Sequence, residues 1–189
     1  MNTVIEPCCY SKQLSQNLEE AERGCGISHF YSFSDWSTDE LVPWVLSSTA
    51  GCEAVLCLVQ IDPRTVYMLS EILRRTYHDR VEGVDKYVVK HLVIITQPSR
   101  EDAEKQRYEI RAQLGRFIDE GRVVVCEDNI GFRCVAASNG KRNIVIQGSI
   151  NQFHMEPCCQ MYTMTTSRVA YEQAMEMLSS KSRTKKINV

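Results

Sequence analysis

The amino-acid sequence predicts an α/β domain: a mixed, largely parallel sheet with helices on both faces and an antiparallel hairpin toward its C-terminal part. Three observations lead there. Continuous apolar runs of strand length, such as Ala54-Val55-Leu56-Cys57-Leu58-Val59, alternate with amphipathic stretches of helical length. Strands separated by helices pair in parallel through right-handed crossovers. Asn139-Gly140 then lies between two further apolar runs, a type I′ hairpin signal. With 189 residues, 43% hydrophobic and 24% charged, the chain suits one folded domain with a real core and is unlike a disordered polymer.

Each element has a local reason. Residues 1–34 carry little pattern and read as an N-terminal extension, with a helix over 11–22 ending at Gly24-Cys25-Gly26. The folded domain is expected over 35–180 and a basic, fraying tail over 181–189. Ser37 and Glu40 form a capping box for a helix over 38–48, in which Pro43 falls one turn in. Residues 53–60 make a buried strand. Asp62 caps the next helix with Pro63 at its first position, and Val66, Leu69, Ile72 and Leu73 recur at helical spacing. A polar loop is expected over 78–86, then a second buried strand over 90–96. Pro98-Ser99 opens a long charged helix that Gly121 closes, with Tyr108, Ile110, Leu114, Phe117 and Ile118 as its apolar positions. Strands follow over 122–126, 132–138, 143–147 and 160–165. Ser167 caps a last helix over 168–180, with Val169, Ala170, Ala174, Met177 and Leu178 facing the core.

Composition narrows the function classes. A net charge of −2 demands neither nucleic acid nor an anionic membrane as a partner, although a local basic face is compatible with it. The apolar runs are far shorter than a membrane span, and residues 1–6 lack the pattern of a secretory signal, so a cytoplasmic protein without a membrane partner is expected. In that compartment the nine cysteines are reduced, with Cys57 and Cys126 acting as small core hydrophobes. Glu6-Pro7-Cys8-Cys9 recurs as Glu156-Pro157-Cys158-Cys159. Four thiolates could hold zinc, but adjacent side chains diverge in an extended chain, and packing is the simpler reading. Neither a metal nor a cofactor is expected.

The stretch from Phe132 to Asn151 carries the most specific signal. Gly148, Ser149 and Asn151 give Gly-Ser-x-Asn after a hairpin that follows strand-helix-strand-helix-strand. By this order the chain resembles the phospholipase D-like superfamily, whose pattern is His-x-Lys, four residues, Asp, about six residues, then Gly-Ser-x-Asn. The resemblance spans roughly 39–178, with a motif only at the hairpin. It places Phe132 at the histidine, Cys134 at the lysine and Asn139 at the aspartate; the stretch from Asn139 to Gly148 is two residues longer, which preserves strand parity.

In such enzymes the histidine attacks phosphorus and the lysine stabilises charge on the phosphoryl oxygens. Phe132 has no lone pair and Cys134 supplies no fixed positive charge, so the resemblance implies a degenerate site without the family chemistry. What it leaves is anion binding by Ser149, Asn151 and backbone N–H groups beside Arg133, Lys141 or Arg142, for nucleic acid or another phosphate-bearing ligand. The plain alternatives are that Ser149 and Asn151 cap a turn, Phe132 packs in the core, and Lys141 and Arg142 are a solvated tip. Two further readings compete: a homodimeric interaction scaffold through a face around Phe132, Phe153 and Met155, and a phosphodiesterase or nuclease with altered chemistry through Cys134 or His154.

Overall fold

The apolar runs become the parallel side of a seven-stranded sheet in the computed structural model, which describes residues 9–24, 26–32, 38–128, 133–148 and 160–182. In chain order the described elements are α1 (Cys9–Arg23), β1 (Ile27–Ser32), α2 (Thr38–Ser48), β2 (Cys52–Leu58), α3 (Pro63–Arg74), β3 (Thr76–Asp79), β4 (Val84–Tyr87), β5 (Val89–Thr96), α4 (Ala103–Asp119), β6 (Val123–Glu127), β7 (Cys134–Ser138), β8 (Asn143–Gly148), β9 (Gln160–Thr165) and α5 (Arg168–Ser182). The sheet order is β1-β9-β8-β7-β2-β5-β6, and β3 pairs with β4 in a separate ribbon. β2, β5 and β6 run parallel; β7, β8, β9 and β1 extend the sheet through antiparallel pairs. The mixed α/β architecture is the expected one, with an antiparallel part enlarged by β1.

Strand alternation divides the interior into two cores. Ala54, Leu56 and Leu58 of β2 with Leu92 and Ile94 of β5 face α1 to α4, meeting Leu14, Val45, Leu69 and Leu114. Each such fully buried leucine contributes about 1.5–3 kcal/mol relative to exposure. Val55 and Cys57 of β2, Ile95 of β5, Cys126 of β6 and Cys134 of β7 face the other way, where Met175 of α5 packs on them. Helices thus lie on both faces.

Local rules explain most boundaries. Asp62 accepts the Thr65 N–H at 2.8 Å and Pro63 opens α3, as expected. Ser167 Oγ accepts the Ala170 N–H at 3.4 Å ahead of α5. Gly121 closes α4 at φ +73°, in the left-handed region glycine tolerates. Arg122, next in the chain, staples α3 to β5: its Nη2 donates to the carbonyls of Leu73 and Val89 at 2.9 and 2.8 Å, and its guanidinium lies 3.7 Å over the Tyr87 ring.

Several expectations are corrected. Within the segment expected as an extension, α1 buries Leu14, Leu18 and Ala21, and β1 pairs with β9 throughout its length. Its pattern is inverted, with Ser28 buried and Ile27 exposed, which hides it from apolar periodicity. Residues 78–86 are not a loop but largely the β3–β4 ribbon. The long helix begins at Ala103 rather than Pro98, because Ser99 Oγ donates to Asp102 Oδ2 at 2.6 Å and accepts the Asp102 N–H at 3.2 Å, fixing a turn there. Tyr108 and Val169 are exposed rather than core, while Ala174 is buried. The β7–β8 turn is not type I′: Gly140 has φ +83°, but no described non-glycine residue has positive φ, and Asn139 builds a four-residue loop with its side chain instead. Ser37 lies outside the described residues, as do the basic tail from 183 onward and Cys8, Cys158 and Cys159; of Met177 and Leu178 only the helical backbone is described. Among the described residues no helix is long and apolar enough to cross a membrane, and no three potential metal ligands cluster.

Candidate functional site

The motif positions distribute over both ends of the β7–β8 hairpin. At the end where the parallel strands β2, β5 and β6 finish, β7 begins with Cys134 and β8 ends with Gly148, whose N–H donates to the Arg133 carbonyl at 3.4 Å. Register sets Cys134 directly opposite Cys57 on one side and Gln147 on the other. Its side chain belongs to the apolar cluster of Val55, Cys57, Ile95 and Cys126, and the residue is 0% exposed. The thiol where the resemblance puts a lysine is therefore a core group. Phe132, Ser149, Asn151 and His154, with Phe153 and Met155, lie outside the described residues.

The described charges at this end are mostly paired or acidic. Arg107 of α4 makes a two-pronged contact to Glu127 at the end of β6, at 2.8 and 2.6 Å. Beneath it, buried Gln106 accepts the Ile61 N–H at 2.9 Å and donates to Thr96 Oγ1 at 3.2 Å, locking the β2–α3 corner to β5. A shallow cavity of about 180 Å³ beside this lock is lined by Asp62, Asp102 and Glu109 against one cation, Lys105. That lining disfavours an anion.

The other end of the hairpin differs. Asn139 Oδ1 accepts the N–H groups of Lys141 and Arg142 at 3.0 and 2.9 Å, while its Nδ2 donates to the Ala50 carbonyl at 3.2 Å. Asn139 is thus a turn-former that ties the loop to the α2–β2 corner. Arg142 is a tether: its Nε donates to Glu22 of α1 at 2.8 Å and its Nη1 to the Ser48 carbonyl at 3.4 Å. Lys141 instead lines a polar cleft of about 390 Å³ together with Tyr77, Arg80, Lys86 and Lys90. β7 spans five residues, roughly 17 Å at strand rise. Arg133 therefore does not join Lys141 and Arg142 in one basic patch.

The cations of this cleft from β3 to β5 escaped the sequence reading, which took most of that stretch for a solvated loop. The missing signal is modest: Asp79, Glu82 and Lys86 alternate with Arg80 and Lys90 at spacings a hairpin brings together. Lys86 Nζ contacts Asp79 Oδ2 at 2.8 Å and Glu82 Oε1 at 2.5 Å. That ammonium, with the Val81 N–H, holds the Asp79 carboxyl down at about 2, and the two carboxylates raise Lys86 above the ordinary lysine range. Nearby, burial pushes the Cys52 thiol up to about 11, so it stays protonated.

No family model matches the chain, and no curated protein matches it. Solved structures do. TrmBL2, an archaeal chromatin protein with a novel mode of DNA binding, superposes with a TM-score of 0.52 at 10% identity over 94% of this chain and 62% of its own. The polyphosphate kinase of Porphyromonas gingivalis gives 0.56 at 11% identity over 97% of this chain and 30% of its own. Nuc from Salmonella typhimurium, a phospholipase D family member, gives 0.51 at 14% identity over 85% of this chain and 95% of its own. The chain thus spans less than two thirds of the first two structures and nearly all of the third. At these identities the likeness is one of fold, and the fold is phospholipase D-like.

Proposed function

We propose that this chain is a phospholipase D-like domain that has lost phosphodiester cleavage and serves as a binding module for a phosphate-bearing ligand, nucleic acid included. One observation carries the reading: Cys134, at the position of the family's lysine, is a fully buried thiol in an apolar cluster. A transition state that gathers charge on phosphoryl oxygens needs a fixed cation there. A buried thiol provides none, and the phenyl ring of Phe132 provides no nucleophile. The binding role draws support from the retained hairpin frame and from the fold shared with a DNA-binding chromatin protein. In this reading Arg133, Ser149 and Asn151 contact the phosphate.

The test pairs turnover with binding. A bis-aryl phosphodiester and single- and double-stranded DNA are incubated with wild type, Cys134→Ala and His154→Ala; no turnover is expected in any sample. Fluorescence anisotropy with labelled oligonucleotides should show salt-sensitive binding that Arg133→Ala weakens. Turnover abolished by one of the two variants would reinstate an enzyme with altered chemistry. Absence of oligonucleotide binding together with a dimer in sedimentation would favour the homodimeric scaffold.

A further inference from the structure

We infer that the cleft at the start of the parallel strands is a second binding site, for a small ligand carrying more than one phosphate group. It lies at the opposite end of β7 from Cys134 and stands independently of that proposal. Its volume of about 390 Å³ falls within the range of roughly 300–1,000 Å³ typical of small-molecule sites.

The charge pattern points to the ligand class. Arg80 comes from the β3–β4 turn, Lys90 from β5 and Lys141 from the β7–β8 loop, so three separate elements aim cations at one cleft. None of the three side chains makes an ion pair or hydrogen bond among the described residues. Their neighbours do. Lys86 is occupied by Asp79 and Glu82 and offsets one of their two negative charges, so the cations of the cleft still outnumber its uncompensated carboxylate charge. Arg142, beside Lys141, is occupied by Glu22 and Ser48.

The loops are thus anchored by one set of charged groups while a second set stays available, in a chain whose net charge is −2. Three like charges facing one concavity repel each other, and a multivalent anion relieves that repulsion. The rim is also built to be fixed. Asn139 pins the loop that carries Lys141, and the Tyr77 hydroxyl lies against Gly51, where an added Cβ would come within 2.5 Å. The backbone that carries the cations is therefore already ordered before a ligand binds.

Titration calorimetry of the full chain with pyrophosphate at low ionic strength tests this, using wild type, Arg80→Ala, Lys90→Ala, Lys141→Ala and, as the control at the other end of β7, Arg133→Ala. Saturable binding is expected in wild type, tighter than that of inorganic phosphate and weakened by added salt. Each of the three cleft variants should lose about tenfold in affinity, the size of one charge-assisted contact, while Arg133→Ala stays within about twofold. These side chains are exposed, so thermal unfolding should confirm that the variants fold. No saturable pyrophosphate binding, or affinity unmoved by all three cleft variants, overturns the inference. A short single-stranded oligonucleotide that binds through the same three residues while pyrophosphate does not would also overturn it, making the cleft a nucleic-acid track. Loss of oligonucleotide binding confined to Arg133→Ala bears on the other site alone.

Discussion

Replacing Cys134 by lysine, the residue type that the resemblance to phospholipase D-like enzymes puts at this position, should cripple the fold rather than restore a catalytic cation. The residue is 0% exposed, and its cluster is Val55, Cys57, Ile95 and Cys126 with Met175 above. An ammonium there is desolvated without a partner, so the lysine must be neutral in the folded state. In the unfolded chain it titrates near ~10.4, so neutralising it at pH 7 costs about 4.6 kcal/mol at about 1.36 kcal/mol per unit. That is comparable with the whole stability of an ordinary domain, about 5–15 kcal/mol. The sign follows from linkage: a lysine depressed by folding destabilises most at low pH, and the cost fades as pH rises toward the unfolded value. Urea unfolding of Cys134→Lys and Cys134→Ala at pH 7, 8 and 9 measures the difference; alanine is the reference because it removes thiol ionisation from both states. The gap should narrow by about 1.36 kcal/mol per pH unit. A gap below about 1 kcal/mol at pH 7, or one that does not change with pH, would refute the reasoning. The amine would then reach water, and position 134 would open onto a usable cleft.

Three other perturbations probe the frame. Gln106→Ala removes the acceptor of the Ile61 N–H and the donor to Thr96 Oγ1, and should cost about 2–3 kcal/mol in urea unfolding; a loss under about 0.5 kcal/mol would mean water replaces the amide without penalty. Gly51→Ala forces alanine to φ +82° and its Cβ toward the Tyr77 hydroxyl, which should cost about 2 kcal/mol or more in thermal unfolding; Tyr77→Phe should restore only the part due to the clash, and full restoration would contradict a backbone contribution. Asp79, held at about 2 by Lys86 and the Val81 N–H, contributes stability that is present above its unfolded value near 3.8 and lost as pH falls through about 2. The stability difference between wild type and Asp79→Asn should therefore shrink from pH 4 to pH 2, and a constant difference would exclude the Lys86 contact as its source.

What could be read from sequence followed from how local each cause is. Continuous apolar runs fixed β2, β5 and β6, because strands buried on both faces need no partner to be recognised. The Asp62-Pro63 cap and the Ser167 cap act within one helical turn. β1 was missed because its apolar pattern is inverted and its partner lies far along the chain. The β3–β4 ribbon was missed because its side chains are all exposed or half-buried, leaving no buried apolar face. At the motif, the resemblance implied that the cation and nucleophile were absent, and parity placed Cys134 on one sheet face. Parity says nothing of distance along a strand, and for that reason Arg133 was grouped with Lys141 and Arg142 although β7 separates them. The division of labour between Arg142 and Lys141, adjacent residues of the same charge, depends on where Glu22 and Ser48 fall in space.

The pairing of β1 with β9 bears on how the chain reaches its native state. His29 Nδ1 lies 3.1 Å from Thr163 Oγ1 across 134 residues of sequence. A contact of that separation forms late, since the intervening loop must be closed before pairing rewards it. The cost of closure grows only as the logarithm of loop length, so the contact is slow rather than weak. During synthesis β1 leaves the ribosome before every other strand of the seven and must wait for β9, the last. Until then both of its edges are unpaired, a form open to association with neighbouring chains, and pairing with β9 covers one of them.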